Sequence, residues 1–305
     1  MKQAYNALGK RTNAVMRGAV TKGVRDFLSD KIPPARVQKM VDAIDFKTAA
    51  EFKRAVAKAT DWLKKEVHGK PYILYVEGGD VYTKSSDWLA HKVIEKLGMP
   101  WGRIVWGNIS EAERQLRAAY AHGVTTVVHL DDAWYTGTQK KDQIDTLLMT
   151  WRRVLNTHRN APSTVHAKIL VAAAYGPHHV PKLQEIQGTH AIFFHVPGNS
   201  TARKDTFEVK FFAAAEIPEP PRNLAVLGNV NFGRRKYTVM PHKLPNGLSF
   251  GFQLWNPSTH KLEGFRDTIK APEPVYKSEK YREAERRRRN LRVRAPVMKK
   301  TGRVK

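Results

Sequence analysis

Three shortages narrow the classes of protein to which this sequence can belong. It contains no cysteine, which excludes a disulfide framework and a thiolate zinc site. No apolar run approaches about 18 residues, the length that a membrane-spanning helix requires, so we predict a soluble intracellular protein with no membrane partner. Acidic residues are scarce, because 28 Asp and Glu stand against 53 Lys and Arg and leave a net charge of +25.

Several catalytic motifs are also missing. The sequence has no Gly-x-x-x-x-Gly-Lys-Ser/Thr, which excludes a P-loop nucleotidase, and it has neither a Gly-x-Ser-x-Gly elbow nor a His-Glu-x-x-His helix. The 12 histidines are scattered, and the pair His178-His179 has no carboxylate at ligand spacing. We therefore predict no metal site built from protein ligands alone.

The excess of positive charge indicates a polyanionic partner, nucleic acid above all. Residues 277–305 include 13 basic and 3 acidic side chains, a composition that cannot bury enough apolar surface to fold alone. An acidic protein surface is an alternative partner for this polybasic tail, and simple solvation is a third interpretation. The side chains expected to bind phosphate backbones without reading base sequence are Arg286, Arg287, Arg288, Arg289, Arg292 and Arg294.

The chain divides into four segments by pattern. Residues 1–70 read as a basic helical extension, whose first 25 residues carry six basic side chains and no acid, a composition that also fits organelle targeting. Residues 71–196 alternate short apolar runs with helical patterns, which predicts an α/β fold with a Rossmann-like, mostly parallel sheet covered by helices. Residues 197–270 hold shorter strand-like pieces, including 207–212, and residues 271–305 form the tail.

Local signals mark several helix starts. The Pro33-Pro34 pair predicts a helix over 34–44, since proline is favoured in the first helical turn. Thr48 to Glu51 and Ser110 to Glu113 both fit the capping-box spacing, in which a hydroxyl and a carboxylate three residues apart bond each other's backbone. The sequence therefore predicts helices that open at 48 and at 110.

One stretch combines a buried strand with groups that bind a sugar and a phosphate. An apolar run that ends at Leu130 is followed at once by Asp131 and Asp132, and a short loop then leads into Thr136-Gly137-Thr138 and a predicted helix over 141–155. Open α/β sheets bind ligands at the C-terminal ends of their strands. Two carboxylates there can accept hydrogen bonds from sugar hydroxyls, while a glycine turn at a helix N-terminus can bind a phosphate.

This stretch resembles the phosphoribosyl pyrophosphate (PRPP) binding signature of type I phosphoribosyltransferases. Asp131 and Asp132 match the acidic pair, which by resemblance holds the ribose 2′- and 3′-hydroxyls. The chain departs from the signature at Gln139, where most members carry Thr or Ser, and Trp134-Tyr135 is bulkier than usual. The residues that match the 5′-phosphate loop are Tyr135, Thr136, Gly137, Thr138 and Gln139.

Two further segments resemble parts of the same family. The Glu77-Gly78-Gly79-Asp80 turn follows an earlier predicted strand, as the pyrophosphate-binding loop of these enzymes does, although most glycine pairs are simple turns. Lys84 either adds a cation for the diphosphate or is a solvated lysine. His242 and Lys243 lie in a segment that less firmly resembles divergent relatives, and they face either the diphosphate and substrate or only solvent. The β-rich region 197–270 would then be the hood over the site.

The resemblance implies PRPP binding with Mg2+, which would be held through PRPP and not by protein ligands alone. Diphosphate would leave as an oxocarbenium-like centre forms, and an acceptor that the sequence does not identify would attack. Two other functions fit the same fold. One is an inactive scaffold in a nucleoprotein assembly, such as a ribosome-associated or other particle-associated protein, and the other is a regulator that senses PRPP or nucleotides and binds nucleic acid.

Overall fold

The structure is a computed structural model, and it describes residues 17–18, 21–26, 29, 33–42, 44–77, 85–134, 137–157, 165–177, 180–194, 203–217, 237–239, 253–256 and 261–264. Several predicted site residues lie outside the described residues, namely Gly78, Gly79, Asp80, Lys84, Tyr135, Thr136, His242, Lys243 and the six arginines 286–289, 292 and 294. Among the helices of the described ranges, none is both long and apolar enough to cross a membrane.

A six-stranded sheet forms the centre of the protein, with the strand order β3-β2-β4-β5-β7-β6. All neighbouring strands run parallel except β6, which is antiparallel to β7. The predicted α/β class with a mostly parallel sheet is therefore confirmed. The strands of this sheet are β2 Ile73–Val76, β3 Gly102–Val105, β4 Thr126–Ala133, β5 His166–Gly176, β6 Gly188–Phe194 and β7 Arg203–Glu216.

Smaller elements lie outside this sheet. A short strand β1 (Ile44–Phe46) pairs in parallel with β8 (Tyr237–Val239), and β9 (Gln253–Asn256) forms an antiparallel pair with β10 (Lys261–Gly264). Residues 17–18 and 21–26 are helical. The helices that follow them in the described ranges are α1 Pro34–Asp42, α2 Ala49–Val67, α3 Ser85–Leu97, α4 Ile109–Ala121, α5 Thr138–Thr157 and α6 Pro181–Gln184.

The helices cover both faces of the sheet. Helices α2 and α3 pack on one face, where Phe52 and Leu89 meet Val128. Helices α4 and α5 pack on the other, where Leu116 and Trp151 meet the opposite side of the strands. Side chains alternate between the two faces along a strand. In β4, the even-numbered residues at 128 and 130 therefore face α2 and α3, whereas 127, 129 and 131 face α4 and α5.

The chain reverses its direction of winding between two neighbouring strands. From β2 it passes through α3 to β3 on one side, and from β4 it passes through α5 to β5 on the other side. Because β2 and β4 are adjacent, the helices that follow them cover opposite faces of the sheet, and the C-terminal edge between the two strands is a switch point. Open α/β sheets bind their ligands at such a switch point.

Two helix starts test the local predictions. The capping box at Thr48 is confirmed, because its hydroxyl accepts from the Glu51 amide at 3.2 Å and the Glu51 carboxylate accepts from the Thr48 amide at 2.7 Å. The box at 110 is wrong, since Asn108 accepts from the Glu111 amide at 3.1 Å and the helix begins at Ile109. Asparagine is at least as good an N-cap as serine, so the helix begins after Asn108 and not after Ser110.

Two other differences arise from strand pairing between distant segments. The helix predicted over 34–44 ends at Asp42, because Ile44 begins a strand that pairs with residues almost 200 positions later. The strand expected over 207–212 extends over Arg203–Glu216, and it lies inside the main sheet between β5 and β6 instead of in a separate β-rich element. Sequence periodicity reports the exposure of a strand, but it does not identify the strand's neighbours.

Candidate functional site

The acidic pair lies within a strand, not in the loop that follows it. The predicted strand ends at Leu130, yet β4 continues to Ala133 because its backbone keeps pairing with the long strand β5. Both carboxylate side chains are buried, with Asp131 6% and Asp132 1% exposed. The pair therefore lies near the C-terminal edge of the sheet, on the strand next to β2, as the sequence predicts, but it is enclosed by protein.

Lys140, in the first turn of α5, extends its ammonium group into this edge. The side chain is 3% exposed, and its Nζ atom lies 2.9 Å from Oδ2 of Asp131 and 3.2 Å from Oε1 of Glu77. Nζ also lies 2.6 Å from Oε1 of Gln143 and 2.8 Å from Nε2 of His129. One buried cation thus has four electron-rich neighbours, from strand β4, from the residue that follows β2 and from helix α5 itself. We call this group of five residues the Lys140 cluster.

His129 holds a single tautomer in the Lys140 cluster. Its Nδ1 atom lies 2.8 Å from the backbone oxygen of Tyr75, and a carbonyl oxygen only accepts, so Nδ1 carries the proton. Nε2 is then the acceptor for the Lys140 ammonium. Complete burial and the neighbouring positive charge lower the pKa of His129 to about 3, so the ring is neutral at physiological pH.

Glu77 follows β2 directly and contributes a carboxylate from the end of the strand next to β4. Its Oε1 atom accepts from Nζ of Lys140 and, at 3.0 Å, from Nε2 of Gln143. Burial alone would raise the pKa of Glu77, but the charge of Lys140 and the bond from Gln143 outweigh it and hold that pKa below its usual range. Glu77 is therefore an ionised partner of Lys140.

In Asp131, burial and neighbouring negative charges outweigh the effect of Lys140 on the pKa, the reverse of the balance in Glu77. Burial is the largest influence on its carboxyl and raises its pKa, Lys140 opposes this, and the nearby charges of Asp132 and Glu77 raise it further, to about 7. The Oδ1 atom accepts from the backbone amide of Asp132 at 2.8 Å. Asp131 therefore changes its charge near neutral pH, while Glu77 stays ionised.

Gly137 connects this edge to helix α5. Its φ angle is +71°, a left-handed conformation that favours glycine, and its carbonyl accepts from the Lys141 amide at 2.8 Å as the first bond of the helix. A Cβ atom here would lie 2.5 Å from Cγ1 of Val180 and 2.9 Å from Cγ of Leu183. Close packing on α6 and the backbone conformation therefore both require glycine at this position.

The structure places the remaining predicted site residues as follows. Thr138 is the first residue of α5 and half-buried, and Gln139 follows it with its side chain exposed. Together with Gly137 they form the N-terminus of a 20-residue helix with no acidic residue in its first turn. The structure thus brings Glu77 and the acidic pair to the same sheet edge as this helix start.

A small cavity lies beside the acidic strand end. It has a volume of about 230 Å³, between α6 and the ends of β5 and β7. Trp134 and Phe211 line it, with ring centroids 6.0 Å apart in an edge-on arrangement. Trp134 packs against Gly176 so closely that a Cβ atom on that residue would lie 2.2 Å from the indole Nε1. The cavity therefore has an aromatic wall that a side chain at position 176 would displace.

Three members of the Lys140 cluster were not predicted as site residues, namely His129, Lys140 and Gln143. Two patterns in the sequence could have found them. His129 and Asp131 are two positions apart on one strand and so share a face, and Lys140 and Gln143 are three positions apart on one helix. Their approach to Glu77 depends on the pairing of β2 with β4, which local spacing does not encode.

Three cluster members also have the geometry of metal ligands. Glu77, His129 and Asp131 each offer one ligand atom, and these atoms lie within 4.8 Å of one another. The sequence predicts no metal site from protein ligands alone, and the structure adds this group to the candidates. Nζ of Lys140 lies within 3.2 Å of one such atom from each of the three.

Comparison with known proteins adds no family to these observations. No protein-family model matches the chain, and no curated protein matches it either.

Proposed function

We propose that this protein binds PRPP together with Mg2+ at the C-terminal edge of β2 and β4, and that it transfers the phosphoribosyl group to an acceptor. The observation that carries the proposal is the position of the acidic pair Asp131-Asp132. It lies at the switch point of a mostly parallel sheet, and the strand that bears it leads through Gly137 into the N-terminus of a long helix. A type I phosphoribosyltransferase-like fold is part of the same proposal.

The start of α5 would receive the 5′-phosphate. The N-terminus of an α-helix directs backbone N–H groups along its axis, and its partial positive charge favours an anion. Gly137, with its φ angle of +71°, turns the chain into the helix, and no acidic side chain of the first turn opposes the phosphate. Tyr135, Thr136, Thr138 and Gln139 complete the proposed phosphate loop.

The acidic pair would receive the ribose hydroxyls. Each oxygen of Asp131 already accepts one hydrogen bond, from Lys140 or from the Asp132 amide, and each retains capacity for another. Because both side chains are buried, a ligand enters only if the edge opens around them. The Lys140 ammonium would then stay on Asp131 and hold the carboxylate in place for the sugar.

The departing diphosphate would be bound after β2. Gly78, Gly79, Asp80 and Lys84 are proposed for this role on the resemblance alone, with Mg2+ arriving on PRPP. Glu77 already bonds Lys140 and Gln143, so we assign it to positioning Lys140 and not to diphosphate contact. The C1–O bond to diphosphate breaks, the bond from C1 to the acceptor forms, and catalysis rests on positioning and charge stabilisation.

The cavity beside Trp134 is the proposed entry point for the acceptor. Its volume of about 230 Å³ and its aromatic wall fit a small planar molecule, such as a heterocyclic base. His242 and Lys243 are kept as candidates for contact with the acceptor or with diphosphate.

A second candidate function is a non-catalytic scaffold in a nucleoprotein assembly. It is favoured by the burial of both carboxylates and by the net charge of +25, of which the arginines at 286–289, 292 and 294 are a concentrated part. A regulator that binds PRPP or nucleotides without turnover, and nucleic acid through its tail, would share features of both.

Calorimetric titration with PRPP and Mg2+ separates these functions. The full chain should be used with its six tail arginines changed to glutamine, so that the tail does not imitate an anion site. We expect binding that the double variant Asp131→Asn/Asp132→Asn abolishes and that Asp61→Asn, an exposed surface carboxylate, leaves intact. Absence of binding in the six-glutamine chain would remove the enzyme and the regulator together and leave the scaffold.

Turnover then separates the first function from the regulator. A chain that binds PRPP and releases diphosphate only when an acceptor is added is a transferase. A chain that binds PRPP but releases no diphosphate with any acceptor of a heterocyclic base panel acts as a regulator.

A further inference from the structure

The Lys140 ammonium has the surroundings of a bound metal ion. Its Nζ atom lies 2.8 Å from Nε2 of His129, 2.9 Å from Oδ2 of Asp131 and 3.2 Å from Oε1 of Glu77. An imidazole nitrogen and two carboxylate oxygens are a donor set that suits Zn2+ and related divalent ions. The Oε1 atom of Gln143, at 2.6 Å from Nζ, adds a third oxygen and a fourth donor atom.

His129 is prepared for such a role independently of the carboxylates. Metal-bound histidines almost always donate their second ring N–H to a carbonyl or carboxylate, which fixes the tautomer and aims the other nitrogen at the ion. Here Nδ1 donates to the backbone oxygen of Tyr75 at 2.8 Å, and Nε2 is directed to the Lys140 ammonium. The ring is buried, and the proton on Nδ1 leaves Nε2 with a free lone pair, which is the form that binds metals.

We propose that Glu77, His129 and Asp131 form a divalent-metal site in which the Lys140 ammonium is the resident cation, so that Lys140 and a metal ion of the Zn2+ class compete for one position. The ammonium neutralises the carboxylates that face it, as a metal would, and it does so without requiring metal supply. A metal enters the natural chain only when the Lys140 side chain leaves the cluster. This site is separate from the Mg2+ that PRPP would carry.

The natural chain and a variant without the ammonium should therefore differ in metal affinity. In Lys140→Ala, we expect one Co2+ or Zn2+ ion to bind per chain, and bound Co2+ to show the intense visible absorption of a four-coordinate site with nitrogen and oxygen ligands. If Lys140 is out of the cluster in about 1% of natural chains, their apparent affinity is about 100-fold weaker. Lys141→Ala, which changes the neighbouring surface lysine, should behave as the natural chain does.

Metal rescue of stability provides the second readout. Removal of Lys140 leaves buried carboxylates without their cation, and we expect the melting temperature of Lys140→Ala to fall by about 10 °C in the presence of a chelator. Zn2+ or Co2+ should restore at least half of that loss. The double variant Lys140→Ala/His129→Gln should lose the rescue, because one of the three ligands is gone.

Lys140→Met is measured beside Lys140→Ala, because methionine retains most of the buried volume and so can fold where the alanine variant does not. If either variant refolds only when Co2+ is present, the proposal is supported. If both variants are folded and neither binds Co2+ more tightly than the natural chain, the proposal is overturned. It is also overturned if both fail to fold with and without the metal, because the ligand set then does not accept a metal in place of the ammonium. All outcomes are independent of PRPP binding.

Discussion

Lys140 and His129 are joined by a hydrogen bond of 2.8 Å from the ammonium to Nε2 of the ring, although both side chains are bases. The contact is stable only while the ring is neutral, because a protonated ring would place two positive charges side by side in a buried space. The carbonyl oxygen of Tyr75 accepts the other ring N–H and so selects the tautomer that permits the contact.

The first prediction concerns acid sensitivity. The pKa of His129 is about 3 in the folded chain and near 6.5 in an unfolded one, so the unfolded chain binds the additional proton first. The stability that depends on a neutral ring is present above about pH 6.5 and is lost as the pH falls through the folded pKa. When the pH falls from 7 to 4, we expect protonation of this residue in the unfolded chain to lower the unfolding free energy of the wild type by about 3 kcal/mol.

Urea unfolding at pH 7, 5.5 and 4 measures this effect. His129→Gln should lose less stability over that interval than the wild type does, whatever its stability at pH 7. His166→Gln changes an exposed histidine and serves as the control. Parallel pH profiles for His129→Gln and the wild type would contradict the prediction.

The second prediction concerns Asp131 and has the opposite sign. Its pKa is raised from 3.8 to about 7, so the folded chain holds the proton more tightly. Its contribution to stability is fully present below the unfolded pKa and is lost as the pH rises towards 7. Between pH 5 and pH 8, the unfolding free energy of Asp131→Asn should therefore rise relative to that of the wild type by on the order of 2 kcal/mol, because asparagine remains uncharged.

The same unfolding measurement, at pH 5, 6.5 and 8, tests it. The informative quantity is the change with pH in the difference of unfolding free energy between variant and wild type, since the altered contact with Lys140 contributes to that difference at every pH. Asp61→Asn removes an exposed partner of Lys96 and should give a difference that barely varies. A pH-independent difference for Asp131→Asn would show that its carboxyl titrates normally.

The third prediction separates backbone conformation from packing at Gly137. Gly69 has nearly the same φ angle, +72° against +71°, but a Cβ atom there would meet nothing within 4 Å. Gly69→Ala should therefore lose about 1 kcal/mol through conformation alone. Gly137→Ala should lose about 1–3 kcal/mol more, because its Cβ atom would overlap Val180 and Leu183.

Chemical unfolding of the two alanine variants, with Gly137→Ala/Val180→Ala added, measures the packing contribution. The double variant should recover part of the additional loss, because the nearest clashing atom belongs to Val180. Equal losses at the two glycines would mean that α6 moves freely away from the turn.

The fourth prediction concerns the arginine tail. Nucleic-acid affinity should fall steeply with salt, because each neutralised phosphate releases counterions. Replacing the six arginines by glutamine should lower the magnitude of the slope of log K against log[salt] by up to about 5 for duplex DNA, or about 4 for a single strand. Fluorescence anisotropy at several salt concentrations measures the slope, and an unchanged slope would assign nucleic-acid binding to another part of the chain.

Sequence patterns predicted most elements of the central region well because these elements are set by local chemistry. The helix predicted over 141–155 is observed within α5, Thr138–Thr157, and the cap at Thr48 forms as its spacing indicates. Errors occur where distant segments pair. Ile44 leaves its predicted helix to pair with Tyr237, and Asp131 lies within β4 because β5 continues beside it.

The charge of the chain, the alternation of strands and helices, and the placement of two carboxylates directly after an apolar run can all be read from the sequence. These depend on composition and on neighbours within a few residues. The position of Lys140 between Asp131, His129 and Glu77 depends on long-range folding, because that meeting requires β2 to pair with β4 and α5 to pack across them. The pKa shifts of His129 and Asp131 follow mainly from the burial that this meeting produces, which no short stretch of sequence contains.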